Sequence, residues 1–269
     1  MASLSQDRDA IGIFDSGVGG LTVMHELIEA LPAESFVYLG DTGRYPYGNK
    51  SPETVTRYSL ENAAFLVDKG IKLLVVACNA ASSVALGALQ AELPVPVVGV
   101  IEPGAKAAVA RTATGRIGVI GTEVTIASGS YTRTLKRLRA DLEIYTRACP
   151  LFVPLAEEGW TDNEVARATI AIYLGSLQKS GIDTLILGCT HYPLLKAAIG
   201  EYLGERVTLV DSAEETAREV RETLKADGAL RQGGRGAASF FVTDVPDRFI
   251  KVGRRFLGER VESAVRIER

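Results

Sequence analysis

The chain has 269 residues, 46% of them hydrophobic, which is enough apolar mass for one large core or two medium ones. Its 30 basic and 33 acidic residues nearly cancel, so the charge calls for no nucleic-acid partner. The opening MASLSQDRDA is polar and no apolar run is long enough to span a membrane, so the sequence reads as cytoplasmic, with its 3 cysteines as reduced thiols.

Short β-branched runs alternate with longer helical patterns. AIGIFD (10–15) predicts a first strand, followed by the glycine-rich turn FDSGVGG (14–20) and the helical pattern LTVMHELIEAL. SFVYLG (35–40) predicts a second strand, and the long polar loop GDTGRYPYGNKSP (40–52) follows it. Ser51-Pro52 reads as an N-cap with proline in the first helical turn, and Gly70 as the stop of that helix. KLLVVA (72–77) and PVVGV (96–100) are the next strands. Then come RIGVIG (116–121), LEIYT (142–146), DTLILG (183–188), RVTLVD (206–211) and SFFVT (239–243). Thr161-Asp162-Asn163-Glu164 fits a capping box, with Gly181 after its helix, and Pro193 fits the first turn of a helix beginning after Cys-Thr-His.

Continuous apolar strands separated by helices imply an α/β fold with mostly parallel sheet covered on both faces. A weak internal repeat divides it. IGIFDSG (11–17) resembles IGVIGTE (117–123), and each is followed, some sixty residues on, by an apolar strand ending in cysteine. Two similar α/β halves are expected. The first comprises 1–100 plus 211–269, made discontinuous by the return of SFFVT, and the second 101–210. Each half places one cysteine at the carboxyl end of a strand, the edge at which open parallel sheets bind ligands.

Those cysteines carry the chemistry. LLVVACNAASS (73–83) and LILGCTHYPLL (185–195) share one shape: an apolar strand, a thiol, then small and polar residues. A helix N-terminus after each thiol is expected to lower its pKa. His191, two residues beyond Cys189, lies within reach of that thiol. Cys149, in RACPLFVPL, has no polar cluster around it and reads as a small buried hydrophobe. His25 sits in a helical pattern and reads as structural.

FDSGVGG fits neither glycine signature for nucleotides, and its backbone N–H groups better suit a carboxylate than a pyrophosphate. Cys189, His191 and Cys78 could supply three zinc ligands, but C-x-x-C and H-x-x-E-H spacings are lacking. Cys-His acyl transfer needs one nucleophile and leaves the second cysteine unexplained. Two thiols facing each other across a ligand suit inversion of a carbon bearing an acidic hydrogen. One removes the proton from one face while the other delivers a proton to the opposite face, and no cofactor is required.

At these residues the sequence resembles the cofactor-independent glutamate racemases of the aspartate/glutamate racemase superfamily. IGIFDSGVGGLTV, YLGDTGRYPYGNKS, VVACNAAS, CPLFVPLAEEG, LILGCTHYPLL and FFVTDVPDRF carry the resemblance over nearly the whole chain. It implies two α/β domains related by a pseudo-twofold axis with the substrate between them. It implies that Cys78 takes the α-proton from D-glutamate, assisted by Asp15, and that Cys189 takes it from L-glutamate, assisted by His191. Ser16, Tyr47, Gly48, Asn79 and Thr190 match substrate-contacting positions. Thr122 and Thr125 add contacts from the second half, and the family's site glutamate falls on Glu157, with Glu158 adjacent. One departure stands out: Ala80 follows Cys-Asn where the family usually has threonine, removing a hydroxyl from a carboxylate contact. The resemblance further implies a supply of D-glutamate for peptidoglycan, no metal, and an oligomeric state, a homodimer among the options, that varies between relatives. An aspartate racemase and a non-catalytic amino-acid-binding module are the alternatives this sequence leaves open.

Overall fold

The computed structural model describes residues 10–268; the polar opening stretch 1–9 lies outside it. The first half runs β1 (Ala10–Asp15), α1 (Leu21–Ala30), β2 (Ser35–Gly40), α2 (Pro52–Asp68), β3 (Ile71–Val76), α3 (Asn79–Val84), α4 (Leu86–Glu92) and β4 (Val97–Gly99). The second runs α5 (Ile101–Arg111), β5 (Arg116–Gly121), α6 (Glu123–Ala127), α7 (Ser130–Leu138), β6 (Glu143–Ala148), α8 (Phe152–Glu158), α9 (Glu164–Lys179), β7 (Thr184–Gly188), α10 (Lys196–Leu203) and β8 (Thr208–Asp211). The chain then adds α11 (Ser212–Ala226), β9 (Ala238–Val242), α12 (Pro246–Leu257) and the short β10 (Val265–Arg266).

Among the described residues the strands form two parallel sheets, of order β10-β9-β2-β1-β3-β4 and β6-β5-β7-β8. Removing β9 and β10 leaves the same order in both, β2-β1-β3-β4 against β6-β5-β7-β8. The repeat read between residues 11–17 and 117–123 therefore marks equivalent first strands, β1 and β5. Cys78 and Cys189 follow equivalent third strands, β3 and β7. β9 pairs in register with β2, so the late segment does return to the first sheet.

Both faces of each sheet are covered, as the apolar strands require. On one face of the first sheet, Ile11, Ile13, Leu73 and Val75 pack with residues of α1, α11 and α12. On the other, Phe14, Leu74 and Val76 pack with α2, α3 and α4. The second sheet repeats this with α8, α9 and α10 on one face and α5 and α7 on the other.

Local signals place some of the helix ends. Ser51 caps α2 by accepting a hydrogen bond from the Thr54 N–H, and Gly70 and Gly181 take the left-handed conformation that ends their helices. The capping box at Thr161 is not formed. Asn163 is the cap of α9, its side chain accepting from the Ala166 N–H at 2.9 Å. An amide oxygen one residue before the helix reaches that donor directly, and Thr161 lies too early to compete. Pro193 begins not an α-helix but a 3-10 turn, Tyr192–Leu195, which leads into α10.

Candidate active site

The strand ends of the two sheets face one cavity of about 450 Å³. The first half supplies Ser16 after β1, Tyr45 to Asn49 from the β2–α2 loop, and Cys78, Asn79 and Ala80 after β3. The second half supplies Thr122 and Glu123 after β5, Pro150 to Glu157 in part, and Cys189, Thr190 and His191 after β7. Both sulfurs thus open onto the same space, whereas Cys149 is fully buried in the second core.

Two glycines permit this convergence. A Cβ on Gly19 would stand 2.3 Å from Thr190 Oγ1 and 2.5 Å from two ring atoms of His191, so only a bare backbone lets the β1–α1 turn meet the second half. A Cβ on Gly48 would stand 2.7 Å from Thr122 Cβ.

The two sulfurs have unlike surroundings. Cys78 occupies the N-cap position of the short helix α3, with the Ala81 N–H near its sulfur, and donates to Ser16 Oγ at 3.8 Å. The expected lowering of its pKa is not found. Burial, and then the negative charge of Asp15, push the Cys78 thiol up to about 12, outweighing the Ala81 and Ser16 hydrogen bonds. A helix of one and a half turns cannot offset full desolvation.

Cys189 Sγ lies 3.9 Å from His191 Nδ1, and His191 Nε2 lies 3.2 Å from Glu157 Oε1. Burial alone would drive a proton off the imidazole. The contacts with Cys189 and Glu157, and the charge of Asp15, outweigh it and push His191 up to about 10. Burial raises Glu157, but His191, Tyr45 and Arg248 together bring it below its ordinary value. Of the adjacent glutamates, Glu157 meets the histidine and Glu158 is exposed. His191 is thus an imidazolium held between a sulfur and a carboxylate.

Asp15 lies behind the cavity wall rather than on it. Its Oδ2 accepts the Gly17 N–H at 2.9 Å, so Asp15 itself fills part of the anion cradle expected in FDSGVGG. Its Oδ1 accepts from Thr190 Oγ1 at 3.4 Å, across the two halves. Burial raises its pKa against the opposing pull of His191 and its hydrogen bonds. Thr125 is buried behind Thr122, with their hydroxyls 3.0 Å apart, and does not line the cavity. Tyr47 lines it, but its phenol donates to Asp41 and accepts from Asn62.

Sequence reasoning missed three residues. Tyr45 hydrogen-bonds Glu157, and its ring lies 6.4 Å from that of His191. Arg248, on α12, donates to Glu157 Oε2 at 3.4 Å. Phe256 sets the His191 ring edge-on at 5.5 Å. Tyr45 stood in the polar loop 40–52 and Arg248 in FFVTDVPDRF, and both could have been found there; nothing in the pattern of α12 distinguished Phe256.

Comparison with known proteins places relatives beside this geometry. Residues 11–220 match the family model for Asp/Glu/hydantoin racemase. The glutamate racemase of Geobacter metallireducens is 64% identical over 94% of this chain and 94% of its own. The structure superimposes on a glutamate racemase isoform from Bacillus anthracis with a TM-score of 0.94, at 44% identity and 97% coverage of each chain. It also superimposes on a glutamate racemase from Francisella tularensis solved in complex with D-glutamate, with a TM-score of 0.91, at 33% identity over 97% of this chain and 98% of that one.

Proposed function

The chain belongs to the Asp/Glu/hydantoin racemase family, and from that premise we propose that it interconverts L- and D-glutamate by proton transfer between two thiols. The single observation that carries the mechanism is the pair of sulfurs, from equivalent strand ends, lining one cavity.

By the family resemblance Cys189 acts on L-glutamate and Cys78 on D-glutamate, and the unlike surroundings of the two sulfurs support that reading. Cys189, 3.9 Å from His191 Nδ1, is the base that removes the α-proton of L-glutamate. Cys78, held as a thiol by burial, delivers its proton to the opposite face of Cα. The pair starts as S⁻ at Cys189 and SH at Cys78 and ends as SH and S⁻, so protons and charge balance without a cofactor. D-glutamate runs the same path in reverse. His191, tied to Glu157, carries the positive charge that accompanies the Cys189 thiolate, and Asp15 faces both the Cys78 side and Thr190. Ser16, Asn79, Thr122 and Thr190 offer donors to the two substrate carboxylates, with the backbone at Tyr47, Gly48 and Ala80 shaping the wall.

The enzyme works in the cytoplasm on this reading and supplies D-glutamate for peptidoglycan. Its units divide at 100/101 and at 210/211, where Asp211 ends β8 and caps α11.

Purified protein, without added metal or pyridoxal phosphate, is incubated with L-glutamate in D₂O and sampled early by chiral chromatography and mass spectrometry. D-glutamate carrying deuterium at Cα, with little label in recovered L-glutamate, is the expected result. Protium retained in the initial product would sink the two-base mechanism, and turnover of L-aspartate alone would sink the substrate.

A further inference from the structure

Asn79 lines the cavity yet is only 3% exposed, and its amide nitrogen is a buried donor without a partner in the protein. An orphaned buried donor costs about 1–3 kcal/mol, so its presence at a binding cavity points to a ligand acceptor. The other end of the same amide is occupied. Tyr131, on α7 of the second half, donates its phenol proton to Asn79 Oδ1 at 2.8 Å.

That phenol is itself held. Tyr131 is 2% exposed. The Ser212 hydroxyl, at the start of α11, hydrogen-bonds its oxygen, which directs the phenol proton toward Asn79. A Cβ on Gly188 would stand 3.1 Å from Tyr131 Cε2, so the ring packs directly on the backbone before Cys189. α7 and β7 of the second half, with Ser212 at the start of α11, thus fix one amide of the first half.

We propose that Tyr131 is a positioning residue: its hydrogen bond across the two halves fixes the Asn79 amide so that the NH₂ group, and not the oxygen, receives a substrate carboxylate. The inference rests on the glutamate racemase reading and deepens it by naming what sets the polarity of that subsite. With the oxygen turned toward the substrate, a carbonyl would oppose a carboxylate. Because the contact is present equally in ground and transition states, its loss appears in KM rather than kcat.

The test is a kinetic cycle in both directions. Tyr131→Phe keeps the ring and removes the hydroxyl. It is expected to raise KM for both L- and D-glutamate about fivefold to tenfold, the size of one hydrogen bond, with kcat changed by less than about twofold. Asn79→Ala is expected to raise KM at least as much, and adding Tyr131→Phe to it should do nothing further. Ser212→Ala, which leaves the ring intact, should raise KM in the same direction by a smaller factor. Multiplicative losses in the double variant, or a fall in kcat with KM unchanged, would overturn the positioning role. Calorimetric binding of D-glutamate to wild-type protein separates the two claims. If the wild type neither binds nor racemises glutamate, the functional reading fails and the inference with it. If it does both and Tyr131→Phe behaves as wild type, the inference alone fails.

Discussion

Gly19 and Thr190 approach so closely that one added carbon on the glycine would lie 2.3 Å from the threonine hydroxyl. The contact joins the turn after β1 to the turn after β7, next to Cys189 and His191. Gly19→Ala must therefore displace Thr190, His191 or its own turn. Overpacking of this kind costs about 1–3 kcal/mol, and a displacement near 1 Å in a catalytic group costs about a hundredfold in rate. We expect a lowered Tm and about a hundredfold loss of kcat; a fully active Gly19→Ala protein would show that the two turns are free to separate.

The three cysteines should separate cleanly. Cys78→Ser and Cys189→Ser each replace a thiol by a far weaker acid and should lower racemisation by about 10²–10⁴-fold or more. Cys149→Ser places a hydroxyl in an apolar core, costing about 1–3 kcal/mol in stability while leaving turnover near wild type. Steady-state kinetics with denaturant melts on all three variants checks this. Lost chemistry in a folded Cys149→Ser protein would contradict the assignment.

The sign of the pH dependence follows from His191. Its folded pKa, near 10, lies above the ordinary histidine value of 6.5. The stability it contributes is fully present below about pH 6.5 and is lost as pH rises toward about 10. Denaturant melts across that window should show wild type losing stability relative to His191→Asn. Glu157→Gln removes the carboxylate that helps hold the proton, so the alkaline limb of activity should move to lower pH. An unmoved limb would mean that Glu157 does not act through the imidazolium.

Ala80 offers a gain-of-function test. It lines the cavity between Asn79 and the body of α3. Ala80→Thr adds the hydroxyl whose absence was read from the sequence, and one further hydrogen bond should lower KM for glutamate about fivefold. An unchanged or raised KM, measured in both directions, would place the hydroxyl off the substrate.

The thiol positions were legible in the sequence because each follows an unbroken apolar run, LLVVA (73–77) or LILG (185–188), and parallel order puts such strand ends on one edge. The family that the motifs resemble is the one matched by sequence and structure. Tyr45, Arg248 and Phe256 were not legible as a group. They come from residues 45, 248 and 256 to meet at positions 157 and 191, a convergence set by packing rather than spacing. The polarity of the Cys78 environment was misjudged for a related reason. A helix terminus is visible in sequence, whereas burial beside Asp15 depends on the assembled fold. Two-residue β10 carries too few positions for any alternation to show.

In the proposed two-thiol mechanism, the unlike settings of Cys78 and Cys189 give each molecule a one-bit memory. A turnover of L-glutamate leaves the thiol where the thiolate began, so the protein that releases product is primed for the opposite enantiomer. Before it accepts L-glutamate again, a proton must move from one side of the empty site to the other. At low substrate this resetting goes unnoticed. At saturation it sets a ceiling independent of the carbon chemistry. Counterflow of labelled D-glutamate, driven by excess unlabelled L-glutamate, would read that memory directly.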